Sequence, residues 1–216
     1  MISLKHKCIF IEVPKTGSTS VRNIIGLSPK PHLDIIEYRD IMQHHFPLHF
    51  RGYSYINKIY NIVTPSFLKA KIGEELFNSF FKFGFVRNPW SRTVSLYLRN
   101  EAIQMKNKFT FEEFVNWIQN SSDTCIHSST KKNQLDWFTD ENGDILVDYI
   151  GRFEKINKSW NYIANKLSIN HNLPHINSND FISRRHYTEY YNSTTKDIIN
   201  KKFITDINYF KYEFES

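Results

Sequence analysis

The chain alternates short apolar runs with longer amphipathic stretches, and the first run organises the rest. Cys8-Ile9-Phe10-Ile11-Glu12-Val13 is mostly β-branched and aromatic, which predicts a buried strand. Pro14 stops it, having no N–H to give a sheet ladder. Lys15, Thr16, Gly17, Ser18, Thr19 and Ser20 come next, and Val21, Ile24 and Ile25 then fall on one face of a helix. A strand, a tight turn of small donor-rich residues and a helix start aim backbone N–H groups and the positive helix end at one spot. With a lysine and several hydroxyls beside it, the spot is a cradle for phosphate or a group of similar shape and charge.

A second junction repeats this logic. Phe80 to Val86 is an aromatic strand that ends in Arg87-Asn88-Pro89-Trp90. Asn88 suits an N-cap and Pro89 the first helical position, so a helix begins here, with Trp90, Val94, Tyr97 and Leu98 inward. Before it, Ser66 to Ser79 has helical spacing, with Phe67, Leu68, Ile72, Leu76 and Phe77 on one side. After it, Thr110-Phe111-Glu112-Glu113 is a capping box that opens a helix with Phe111, Phe114, Val115 and Ile118 on one face. Ile145 to Ile150 reads as a third strand, with Gly151-Arg152-Phe153-Glu154 at its end. Helices are expected over Ile156–Leu167 and Lys196–Phe210, and loops over 27–34 and 119–133. Residues 35–65 keep no firm period, so 27–65 is expected to be an irregular or partly helical excursion, a lid or acceptor-side wall. No repeat or linker appears. The sum is one α/β domain over 1–216, P-loop-like, with a mostly parallel central sheet flanked by helices on both faces. A parallel sheet puts both junctions on the edge where ligands bind.

Composition narrows the partners. The 216 residues are 40% hydrophobic and 16% aromatic, enough for a core. A formal net charge of +6 favours an acidic partner such as a nucleotide, a sulfated or uronic-acid sugar, nucleic acid or an anionic membrane surface. Nucleic acid is the weakest of these, since no recognition motif or clustered basic stripe accompanies the charge. Cys8 and Cys125 give neither a disulfide framework nor metal-ligand spacing, which points to a reducing compartment. With no signal-peptide h-region and no stretch of transmembrane length, the expected location is cytoplasmic.

The first loop departs from the Walker arrangement. Lys15 precedes Gly17, the leading glycine is missing, and no clear second carboxylate motif is present to hold Mg²⁺. The expectation is therefore a phosphate cradle that works through lysine and hydroxyls, without a metal. Taken together, Pro14 to Ser20 and Phe85-Val86-Arg87-Asn88-Pro89-Trp90-Ser91-Arg92-Thr93-Val94-Ser95-Leu96-Tyr97 resemble the two cofactor signatures of the sulfotransferases that use 3′-phosphoadenosine 5′-phosphosulfate (PAPS). The likeness is to the carbohydrate sulfotransferases, including the chondroitin and heparan enzymes and their bacterial relatives. Gly143 to Glu154 and His186-Tyr187 through Phe214 look like later blocks of the bacterial members, so the resemblance spans most of the chain outside 27–65.

The resemblance implies roles. Lys15, Thr16, Gly17, Ser18, Thr19 and Ser20 match the loop that holds the 5′-phosphosulfate, with Lys15 at the bridging oxygen as it leaves. Arg87 and Ser95 match the pair that binds the 3′-phosphate; Arg152, Arg184 and Arg185 are secondary candidates for charge around the nucleotide. The implied reaction is in-line transfer of a sulfuryl group to a hydroxyl, with an amine as second choice, on a carbohydrate or other hydroxylated acceptor. Adenosine 3′,5′-bisphosphate is the product. The acceptor's proton needs a base, and histidine suits neutral pH. Relatives carry a histidine about two dozen residues before the 3′-phosphate arginine, where this chain has Ile62-Val63-Thr64-Pro65. The candidates are instead His45 and His49, four apart on one prospective helical face, with His44 beside them and Glu37 as a weaker choice. Bland readings stand beside these: Arg87 paired with Glu12 or Glu154, Arg92 at the surface or in an ion pair, Trp90 in the core, and Arg152 bridged to Glu154. The competing functions are a nucleotide-dependent small-molecule kinase and a non-catalytic module that binds PAPS or its product.

Overall fold

The computed structural model describes residues 1–26, 32–44, 65–103, 109–120, 133–170, 172–173 and 185–215, the side chains of 99–103 apart. Four strands, β1 (Ile2–Ser3), β2 (Cys8–Ile11), β3 (Phe81–Val86) and β4 (Tyr149–Arg152), form one sheet in that order. β2, β3 and β4 run parallel, and β1 lies antiparallel to β2. Ile11 stands opposite Gly84 and Val86 opposite Arg152, so the chain leaves all three parallel strands along one edge. The helices are α1 (Ser18–Ile25), α2 (Ile35–His44), α3 (Ser66–Ser79), α4 (Pro89–Ile103), α5 (Phe111–Asn120), α6 (Ile156–Lys166), α7 (Ser193–Lys202) and α8 (Ile204–Phe210). None of these is long and apolar enough to cross a membrane.

Strand alternation sends side chains to two cores. Cys8, Phe10, Phe83 and Phe85 pack with Val21 and Ile25 of α1 and with Trp160 and Ile163 of α6. Phe10 stacks on Phe83 with ring centroids 5.1 Å apart, and Phe83 meets Phe85 edge-on. Ile9, Ile11 and Val86 face the other way, against Tyr38, Phe77, Trp90, Phe114, Ile199 and Ile207. The α/β sheet covered on both faces is therefore as the sequence predicts. Lys82, a buried charge in the central strand, is accounted for by its neighbours. Its ammonium donates to the carbonyls of Phe80 at 2.8 Å and Phe77 at 3.2 Å and lies 3.4 Å from Asp148.

Several expectations need correction. The third strand is Tyr149–Arg152 rather than Ile145–Ile150, because its register is set by pairing with β3; Ile145 makes only an isolated bridge with Thr139. β1 has no counterpart in the sequence reading, since two residues carry no period. The 35–65 excursion begins with the helix α2, opened by a reciprocal cap in which Asp34 and Glu37 exchange bonds of 2.8 and 2.9 Å; residues 45–64 lie outside the described residues. α3 has the predicted bounds, but Phe67 and Leu68 are exposed, and the buried positions are Gly73 and Phe77. The single expected helix over 196–210 starts earlier and breaks at Phe203 into α7 and α8.

Gly73 is where α3 meets α2. A Cβ there would lie 2.0 Å from the Met42 carbonyl oxygen and 2.8 Å from the Gln43 Cα, backbone that cannot swing aside. Gly73→Ala is expected to cost about 1–3 kcal/mol of stability, read as a lowered urea midpoint; an unchanged midpoint would show that the two helices separate freely.

Candidate active site

The first junction leaves β2 at Ile11 and enters α1 at Ser18. Thr16 is fully buried and its hydroxyl donates to the Val13 carbonyl at 2.8 Å, which folds the turn back on the strand. Lys15 (φ 71°) and Gly17 (φ 87°) are both left-handed, curling the backbone into the concavity in which N–H groups gather. Gly17 is the N-cap of α1 and offers no side-chain bond to the first-turn N–H groups, which keeps that end of the helix available to an anion. A side chain at Gly17 is excluded by space as well as by φ: its Cβ would lie 2.7 Å from Ile156 and 3.2 Å from the Phe153 ring. Within the cradle Ser18 and Ser20 are buried, and Lys15, Gly17 and Thr19 are half-buried.

The second junction is built around Asn88. Its side-chain oxygen accepts from the N–H groups of Trp90 (3.1 Å) and Ser91 (3.3 Å), the predicted N-cap of α4. Its own N–H donates to Glu154 at 2.6 Å, and its amide to the Glu213 carbonyl at 2.9 Å. Trp90 is core, as expected. Arg87 is fixed at both ends. Its backbone N–H donates to the Gln134 side-chain oxygen at 2.9 Å, and Gln134 Nε2 returns a bond of 2.8 Å to the Arg87 carbonyl. The guanidinium lies 4.4 Å over the Phe153 ring, donates from Nε to Ser91 Oγ at 3.0 Å and from Nη1 to the Lys15 carbonyl at 3.3 Å. Those two bonds engage two of its five N–H donors. Ser91 and the half-buried Ser95 lie one turn apart on the same stripe of α4.

Arg92 is the main correction at the site. The surface reading fails, since it is 2% exposed with its Nε donating to the Pro14 carbonyl at 3.1 Å, while its charge favours the ionised Asp206 carboxylate. Two arginines of the second junction therefore hold consecutive carbonyls of the first. Phe153 joins them from the end of β4, since one ring contacts Gly17 and lies under Arg87.

Burial governs the electrostatics. Desolvation pulls Arg87 down to about 10, opposed by the Glu154 carboxylate and reinforced by the nearby Arg92 charge; at neutral pH the group remains a cation. Asp206 is buried and pushed up by desolvation, against which the N–H groups of Gln134 (2.7 Å) and Leu135 (3.0 Å) favour its ionised form. Glu12 is likewise raised by burial and pairs with Arg22 of α1 at 3.0 Å, so it is not the partner of Arg87. Nor does Arg152 bridge to Glu154. It donates to the Phe210 carbonyl and lies 4.9 Å from the Tyr212 ring, while Glu154 accepts from Asn88 and from the Tyr212 hydroxyl at 3.2 Å.

The structure thus brings together Lys15, Gly17, Arg87 and the Ser91–Ser95 stripe. His45, His49, Arg184 and Cys125 lie outside the described residues. His44 is exposed, 3.6 Å from Asp40; Glu37 is held in the cap of α2; Arg185 is exposed. His32 has its Nδ1 2.8 Å from the Glu12 carbonyl. A carbonyl only accepts, so Nδ1 carries the proton and Nε2 is the basic nitrogen of the neutral ring. Sequence reasoning missed Gln134, Asp206 and the double contact of Phe153. Gln134 follows a polar loop and Asp206 sits in a helix, and neither carries a local signal. Among the described residues, no three His, Cys, Asp or Glu side chains gather as metal ligands.

A family model described as the Sulfotransferase family matches residues 1–213, and the chain belongs to that family. An uncharacterized protein of Archaeoglobus fulgidus is 26% identical over 104 residues, which cover 47% of this chain and 79% of that protein. No solved structure matches.

The bond from Arg92 to Pro14 gives a direct test. Arg92→Met keeps most of the volume but leaves a carbonyl in a buried turn without its donor. The expected loss is about 1–3 kcal/mol, measured by urea unfolding; a variant as stable as the parent would show that the turn does not rely on this bond.

Proposed function

We propose that this member of the sulfotransferase family moves a sulfuryl group from PAPS to a hydroxyl, less readily an amine, of a carbohydrate-type acceptor by in-line displacement. The observation that carries the reading is the bond from Arg87 to the Lys15 carbonyl, at 3.3 Å. It makes neighbours of the two junctions that would hold opposite ends of one doubly anionic nucleotide. The donor set fits such a ligand. Two left-handed residues and an uncapped helix start suit a 5′-phosphosulfate. A half-buried guanidinium with donors to spare suits a 3′-phosphate.

The donor supplies the sulfuryl group and leaves as adenosine 3′,5′-bisphosphate. The S–O bond to its 5′-phosphate breaks while one to the acceptor oxygen forms. In this reading Lys15 and the N–H groups from Thr16 to Ser20 meet the charge that gathers on the departing phosphate oxygen. Arg87 and Ser95 hold the 3′-phosphate and with it the distance to the acceptor. The acceptor's proton passes to a histidine, for which we assign His45 or His49. A correctly placed base is worth ~10²–10⁴-fold.

Lys15→Ala and Arg87→Ala are each expected to lower sulfate transfer by at least about 100-fold, with Arg87→Ala acting chiefly on donor affinity. Rates near wild type in either variant would refute the assignment. A thermal-shift comparison separates the reading from a kinase, since adenosine 3′,5′-bisphosphate should raise the melting temperature and ATP with Mg²⁺ should not.

The lowered Arg87 gives a pH signature. Its charge is present below about 10 and lost above, whereas an ordinary arginine stays charged well beyond that. The preference for adenosine 3′,5′-bisphosphate over adenosine 5′-monophosphate should stay flat through neutral pH and shrink as pH rises through about 10. Calorimetric titration of both ligands measures it, and a preference constant to pH 11 (about one unit above that midpoint) would contradict the role given to Arg87.

A further inference from the structure

Arg87 is the cation on which the nucleotide reading turns, yet its position is set from elsewhere in the fold. Gln134 is fully buried and spends both ends of its side-chain amide on the Arg87 backbone, accepting from its N–H at 2.9 Å and donating to its carbonyl at 2.8 Å. This is the exchange two paired strands make, performed by a side chain just beyond the end of β3. It fixes the peptide planes on both sides of Arg87 and so the direction in which Cα–Cβ leaves the chain. Gln134 is gripped in turn. Asp206, fully buried in α8, accepts from the Gln134 backbone N–H at 2.7 Å, from its Nε2 at 3.3 Å and from the Leu135 N–H at 3.0 Å. The second contact orients the amide, because an amide nitrogen facing a carboxylate cannot be exchanged for its oxygen without repulsion.

We propose that Gln134, oriented by Asp206, is a positioning residue that aims the Arg87 guanidinium at the 3′-phosphate. The inference rests on the assignment of Arg87 to that phosphate. The three residues come from distant parts of the chain, and the relay ends where the guanidinium meets Phe153, Ser91 and the Lys15 carbonyl. Loss of the relay lets Arg87 relax toward those partners. It weakens recognition of the 3′-phosphate and leaves the 5′ end of the nucleotide to the Lys15–Ser20 turn.

The experiment is the ratio of dissociation constants for adenosine 5′-monophosphate and adenosine 3′,5′-bisphosphate, by calorimetry, in wild type, Gln134→Glu, Gln134→Met and Asp206→Asn. Gln134→Glu replaces the donor facing the Arg87 carbonyl and Asp206 with an oxygen that both repel, and Gln134→Met removes both polar ends at similar size. Each Gln134 variant is expected to lower the ratio by about 2- to 10-fold while affinity for the 5′-monophosphate holds. Added to Arg87→Ala, neither should change the ratio further. A general loosening of the fold would weaken both ligands together, and that outcome, or an unchanged ratio, overturns the proposal. Should Gln134→Met fail to fold, Gln134→Glu and Asp206→Asn carry the same readout. If wild type itself does not distinguish the two nucleotides, the assignment of Arg87 falls first and takes this proposal with it.

Discussion

Two guanidinium groups, each donating to a backbone carbonyl of the neighbouring turn, are the constraint on which this structure depends. Arg92 takes the Pro14 carbonyl and Arg87 that of Lys15. A turn with two left-handed residues is conformationally costly, on the order of 1–3 kcal/mol for a non-glycine such as Lys15, and persists only when its surroundings determine it. The arginines do so with charge-assisted bonds, the stronger class of hydrogen bond. The cost passes to the arginines, which must be desolvated, and burial accordingly lowers Arg87. Carboxylates nearby offset part of it. Glu154 favours the charged form of Arg87, while the Asp206 carboxylate is itself favoured by Arg92. Both carboxylates also serve the backbone, Glu154 at the Asn88 N–H and Asp206 at the N–H groups of Gln134 and Leu135. Charge is thus balanced while Nη1 of Arg87 and Nε of Arg92 point at the turn.

The sheet makes this possible. Because β2, β3 and β4 are parallel and staggered by their pairing, the chain passes through Glu12, Arg87 and Phe153 on leaving the same sheet edge. Side-chain alternation then divides the labour. The aromatic face holding Phe10, Phe83 and Phe85 seats α1, the helix whose start forms the cradle. The opposite face seats α4 and α8, which deliver Arg92 and Asp206. Phe153 joins the two sides: its ring closes against Gly17, where no side chain would fit, and its face lies under Arg87.

The features legible in the sequence were local. Asn88-Pro89 as a helix start and Thr110–Glu113 as a capping box act over a few residues, and each is found as expected, whereas the first strand ends at Ile11, short of Val13 and Pro14. The features it concealed were tertiary. An arginine three residues before Ser95 reads as a surface or ion-paired residue; an acceptor it has is the carbonyl of Pro14, brought in by the β2–β3 pairing. The third strand starts four residues late because Ile145 to Ile150 has the better composition, while Gly151 and Arg152 have the pairing partners Phe85 and Val86. Glycine, a poor strand former, is what fits at 151, since a Cβ there would lie 2.8 Å from the Phe85 ring. Phe67 and Leu68 have helical spacing but no surface to face among the described residues, since α2 meets α3 further along, at Gly73. Gln134 and Asp206 were invisible for the same reason as Arg92.

A cation held partly out of water by the fold has a further consequence for the proposed recognition. In water a guanidinium gains little from an anion, because the attraction must compete with hydration already in place. Here part of the hydration has been removed by folding, since Arg87 is half-buried, and the guanidinium is fixed by Ser91, the Lys15 carbonyl and the Phe153 ring. The free energy of folding therefore carries part of the desolvation that binding would otherwise face, which is preorganisation in the sense used for electrostatic catalysis. The same reasoning explains why the support of Arg87 is so extensive. A solvated arginine can be displaced by an ångström at little cost, but a buried one that loses its alignment keeps its desolvation and forfeits its bonds. Holding the backbone on both sides of Arg87, through Gln134, is the least a fold can do to keep such a group aimed.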